Sequence, residues 1–107
     1  MNDPNLAVDF ILKNAGKFAE AKAQRIYLEQ WRSTKKSLLM NQCTEKAVNA
    51  REQYAYSHPD YQELLSGLKA AVEVEETLKY QLEAAKLRIE IWKTQCFADR
   101  QQDRTMR

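Results

Sequence analysis

Residues 64–96 read LLSGLKAAVEVEETLKYQLEAAKLRIEIWKTQC, and their spacing decides the fold. Taking every third or fourth residue gives Leu64, Leu68, Ala71, Glu75, Leu78, Leu82, Ala85, Ile89, Trp92 and Cys96. All but Glu75 are apolar. Alternating steps of three and four are the period of a helix packed lengthwise on another helix. The reading is therefore all-α and coiled-coil-like.

Composition agrees. The chain has 107 residues, suited to one domain, and only two glycines and two prolines. That scarcity of turn formers argues against many-stranded folds. Charged residues make up 30%, as solvated faces of long helices require. The net charge of +2 is too small to announce a nucleic-acid binder. No stretch approaches the roughly 20 apolar residues that cross a bilayer, and the first residues carry no basic segment before an apolar core. The expectation is a protein of the cytoplasm without a membrane partner.

Working outward, Ser57-His58-Pro59-Asp60 is the clearest break, because proline drives the residue before it away from helical geometry. Ser57 is a candidate cap for the helix that follows. At the other end, Asp3 can cap and Pro4 suits a first helical position. The spacing predicts a short helix over 4–15, weakened at Gly16, then long helices over 17–56 and 59–98 and a polar tail over 99–107. The two long helices fold back as an antiparallel hairpin, preceded by a short N-terminal helix that either folds back as a third element or leaves the hairpin to a partner. Folding about Ser57 places Ile89 opposite Ile26, Trp92 opposite Ala23, Cys96 opposite Ala19 and Lys93 opposite Lys22. Glu75 then needs a cation, and Lys35 and Lys36 fall nearest.

A two-helix hairpin has little interior. Tyr27, Trp31, Tyr80, Trp92 and Phe97 cannot all hide in one seam, so the expectation is a homo-oligomeric helical bundle, a protein partner, or both.

Candidate contact residues for a protein partner are Trp31, Arg32, Tyr54, Tyr56, His58, Tyr61 and Trp92. The four around the turn form an aromatic cluster suited to protein recognition, to base stacking or to packing on itself. Candidate nucleic-acid contacts are Lys17, Lys22, Arg25, Arg88, Lys93 and Arg100, which the expected fold gathers at one end; such a patch would bind phosphate in a salt-sensitive way. Cys43 and Cys96 lie far apart in that fold and read as reduced thiols. No Cys-x-x-Cys, Glu-x-x-His, phosphate loop or nucleophile–base pair occurs. The expectation is a non-enzyme with no metal, no cofactor and no small-molecule substrate.

Three stretches carry a resemblance: REQYAYSHPDY at 51–61, AVEVEE at 71–76 and AAKLRIEIWKT at 84–94. Over residues 20–100 the chain resembles a family of small helical proteins from the early region of tailed bacteriophages, encoded near recombination genes. The resemblance implies a phage-encoded accessory factor in the host cytoplasm with a host or phage protein as partner. It acts in DNA recombination or inhibits a host nuclease or defence complex. It carries over no catalytic residue. Two other readings stand beside it: direct DNA binding through the basic end, and a structural oligomer or scaffold.

Overall fold

The computed structural model describes residues 3–106. Asn2, beside the predicted start, and Arg107, last of the basic run, lie outside the described residues. Three helices account for nearly all of it: α1 (Pro4–Gln42), α2 (Val48–Ser57) and α3 (Pro59–Met106). The fold is all-α and built on an antiparallel hairpin, as the periodicity indicates.

The helix boundaries differ from those expected. Gly16 does not interrupt α1, so the segments 4–15 and 17–42 are one helix. Asp3 caps it, its Oδ1 accepting from the N–H of Asn5 at 2.8 Å. The predicted long helix over 17–56 ends instead at Gln42, and α2 is separate. The stop is made by a side chain from further along. Arg51 donates from Nε to the carbonyl of Met40 at 3.1 Å and from Nη2 to Asn41 Oδ1 at 3.3 Å. The first of these bonds satisfies a carbonyl in the last turn of α1, and the second holds the Asn41 side chain beside it. The helix predicted to end at residue 98 runs on instead, and α3 continues to Met106.

The turn before α3 also departs from expectation. Ser57 does not cap α3; its hydroxyl donates back to the carbonyl of Gln53 at 2.7 Å. The cap is His58, whose Nδ1 accepts from the N–H of Asp60 at 3.0 Å. Gln62 Nε2 closes the end of α2 by donating to the carbonyl of Tyr56 at 2.6 Å.

The chain divides into two compact units. One joins the chain up to Ala19 with the chain from Glu76 onward; its buried apolar residues are Ala7, Leu82 and Ala85. The other is Glu20–Glu75, with a core of Leu39, Ala55 and Tyr61 backed by Met40 and Leu65.

The seam read from α3 is the face it buries. Glu75, Leu82 and Ala85 are buried, and Leu64, Leu68, Ala71, Leu78, Ile89 and Cys96 are half-buried, whereas Trp92 is 39% exposed. Its partner face on α1 has the same spacing, broken only at exposed Arg32: Ala7, Ile11, Asn14, Phe18, Ala21, Arg25, Leu28, Lys35 and Leu39 are all buried or half-buried.

The pairing, however, is displaced from the one expected. Within Glu20–Glu75, Glu75 meets Arg25 and Asp60 meets Lys35. Within the other unit, Trp92 shares a groove with Asp3, Pro4, Leu6 and Ala7, not with Ala23. The cause is α2. Its ten residues take up the return that the reading had assigned to a longer first helix.

Gly16 and Gly67 sit in exposed helix interiors, and a Cβ added at either meets nothing within 4 Å. Gly16→Ala and Gly67→Ala should therefore each stabilise the fold by about 0.5–1 kcal/mol, through lost freedom of the unfolded chain. Urea titration of each variant checks this: the midpoint rises while the slope stays unchanged.

Candidate protein-binding faces

Arg25 and Glu75 form a two-pronged ion pair. Glu75 is 7% exposed on an otherwise apolar seam. Arg25 grips it with two donors, Nε to Oε2 and Nη2 to Oε1, the second at 3.1 Å. Its Nη1 reaches Glu29 Oε2 at 3.0 Å. Hydrogen bonds to Glu75 first, and then to Glu29, hold the guanidinium even more firmly protonated than usual. The expected cation at Glu75 is present, but it is Arg25; Lys35 instead approaches Asp60 and Lys36 approaches Glu52, each at 3.7 Å. A planar fork suits a buried carboxylate better than a flexible ammonium.

That pairing changes the standing of the basic set. Arg25 holds Glu75, and Lys93 lies 3.5 Å from Glu90. Lys22 and Arg25 belong to Glu20–Glu75, whereas Lys17, Arg88, Lys93 and Arg100 belong to the other unit. The expected juxtaposition of Lys22 with Lys93 rested on the longer first helix and does not follow from the helices formed.

The aromatic residues at the turn split into two kinds. Tyr61 is 8% exposed and part of the core. Tyr56 crosses it edge-on at 5.4 Å, and Tyr54 crosses His58 at 5.6 Å. Tyr54 and Tyr56 keep an outer face in solvent. The Lys36 ammonium lies 4.7 Å from the centre of the Tyr56 ring. Its pKa is raised, chiefly by the Tyr56 side chain and then by the Glu52 carboxylate 3.7 Å away. The raised value means that this contribution is whole at neutral pH and fades only as pH climbs through the lysine range.

The side chains the reading said could not all be hidden are indeed outside. Tyr27, Trp31, Tyr80, Trp92 and Phe97 are all exposed. Sequence reasoning did not notice that several of them are aligned. Tyr27, Trp31, Thr34 and Leu38 follow steps of four, three and four along α1, on a flank about a third of a turn around the helix from Arg25, Leu28 and Leu39. The signal lies in the sequence itself, as the steps of four, three and four. Arg32, next to Trp31, is also exposed. Among the described residues no group of three His, Cys, Asp or Glu is placed to hold a metal, and no helix is long and apolar enough to cross a membrane. Cys43 and Cys96 are free thiols, both half-buried.

No protein-family model, curated protein or solved structure matches this chain.

Proposed function

We propose that this chain is a phage-encoded accessory factor that acts without catalysis, by binding a host or phage protein in the host cytoplasm. The observation that carries the reading is the outward line of Tyr27, Trp31 and Leu38 on α1. Aligned large apolar side chains facing water are uncommon on a monomer and mark an interaction face. Tryptophan and tyrosine also lose little rotamer freedom on docking. Tyr54, Tyr56 and His58 form a second surface in the same compact unit. The resemblance to early-region phage proteins supplies the setting: recombination of DNA, or inhibition of a host nuclease or defence complex.

The experiment measures degradation of linear duplex DNA by the host's recombination exonuclease, with and without the purified chain, together with direct binding to that enzyme. The expected result is a stable complex and an altered degradation rate. Trp31→Ala should keep the native melting temperature and weaken the complex at least about tenfold. No complex and no change in rate would remove the nuclease reading. A salt-sensitive association with DNA alone would favour direct DNA binding instead. Arg25 is tied to Glu75, so that outcome would rest on Lys17, Lys22, Arg88, Lys93 and Arg100.

A further inference from the structure

The helix α3 carries two apolar faces, and α1 uses one of them. Leu78, Leu82, Ala85 and Ile89 turn inward. Tyr80, Ala84, Leu87, Ile91, Thr94 and Ala98 follow a second alternation of four and three, and all six are exposed. At 3.6 residues per turn this second line runs along the side of α3 away from Leu78 and Leu82. Tyr80 and Leu87 are each 61% exposed and Ile91 is 55% exposed. Among its described residues the compact unit bearing this line buries only Ala7, Leu82 and Ala85 of the apolar ones, two of them alanines. That is a thin interior for a helical pair.

We propose that a second copy of this chain covers the line, its α3 running parallel in a two-stranded coiled coil. The charges beside the line select both the partner and the direction. Taking Tyr80, Leu87 and Thr94 as d positions and Ala84, Ile91 and Ala98 as a positions puts Glu76, Glu83 and Glu90 in one flanking column. Gln81, Arg88, Gln95 and Gln102 form the other. In a parallel pair the two columns meet with an offset of five residues, so Glu83 of each copy faces Arg88 of the other, twice by symmetry. An antiparallel pair sets the glutamate columns against each other. None of the ion pairs among the described residues uses Glu83 or Arg88, so both charges are open to a second chain. Leu6 of α1, 55% exposed, lines a groove with Ala84 and Arg88 and widens the apolar strip. This pairing is independent of what Tyr27 and Trp31 bind.

The test is the mass of the full chain by sedimentation equilibrium across micromolar concentrations. A dimer is expected. Leu87→Glu should weaken it at least about a hundredfold, because the symmetric interface loses two buried leucines. Glu83→Arg and Arg88→Glu should each weaken it and together restore it. In a chain with Cys43→Ser and Cys96→Ser, Thr94→Cys should join two copies covalently under mild oxidation. This holds only in the parallel arrangement, and it keeps the test valid if Leu87→Glu also lowers helicity. A chain that remains monomeric at about 100 μM overturns the proposal. A dimer indifferent to Leu87→Glu, or one that neither crosslinks at position 94 nor recovers in the charge swap, overturns it as well.

Discussion

Arg25→Ala should lower the thermal midpoint by roughly 10 °C or more, a large effect for one side chain in a chain of this size. Glu75 sits between Ala71 and Leu78 on the inner face of α3, with 7% of its surface exposed. Its two oxygens accept from Nε and Nη2 of Arg25. Once the guanidinium is gone, the buried carboxylate loses both of these charge-assisted hydrogen bonds. Arg25→Lys should fall between, since an ammonium restores the charge but not the two-pronged grip. Glu29→Ala should cost only a few tenths of a kcal/mol, because that carboxylate is 43% exposed. The decisive comparison is the double variant Arg25→Leu with Glu75→Leu. It should be as stable as the native chain or more so, because the pair is replaced by packing apolar groups. Such a result would give the pair a different role. A single polar contact in an apolar seam penalises every other register, as a lone polar seam residue does in coiled coils. Thermal melts of the four variants check the set. A midpoint for Arg25→Ala within about 2 °C of native would mean that Glu75 finds water instead.

The same pair marks where the sequence was legible and where it was not. The inner face of α3 could be read because nearly all of its members are apolar, so spacing alone identified it. The matching face of α1 includes Asn14, Arg25 and Lys35. A reading that follows apolar residues slides off such a face onto Ile26, Tyr27, Trp31 and Leu38, which point outward. The end of α1 was illegible for another reason. No proline or glycine stands between Asn41 and Ala47, and the stop depends on Arg51 reaching back to Met40 and Asn41. Contacts between residues ten apart leave no local signature. Missing that stop hid α2 and displaced the whole pairing. At the turn, the aromatic cluster was visible as composition, but the inward placement of Tyr61 against the outward faces of Tyr54 and Tyr56 was not. Adjacent turns of helix present similar residues, and only the packing of α2 decides which is enclosed.

Leu39→Ala should be the most disruptive change in the unit Glu20–Glu75, at about 3 kcal/mol. Leu39 is 0% exposed and packs with Ala55, also 0% exposed, and Tyr61. Ala55 has no volume with which to fill the space left behind, so the cavity term persists. The loss should also be uneven. A helix of ten residues such as α2 is unstable alone in water, so it depends on docking Ala55 against Leu39. Amide hydrogen exchange in Leu39→Ala should therefore lose protection first over residues 50–57, by roughly a hundredfold, while the middle of α3 keeps most of its own. Equal loss everywhere would mean that α2 opens only with the rest of the chain. The distinction governs how binding data at the turn are to be read. Tyr61→Ala empties the same core, so any weakening of a partner complex by that variant reflects unfolding of α2. Tyr56→Ala removes a ring that lies half outside. A partner that docks on the turn should lose affinity with Tyr56→Ala at unchanged melting temperature. It should lose affinity with Tyr61→Ala only in step with lost protection of α2.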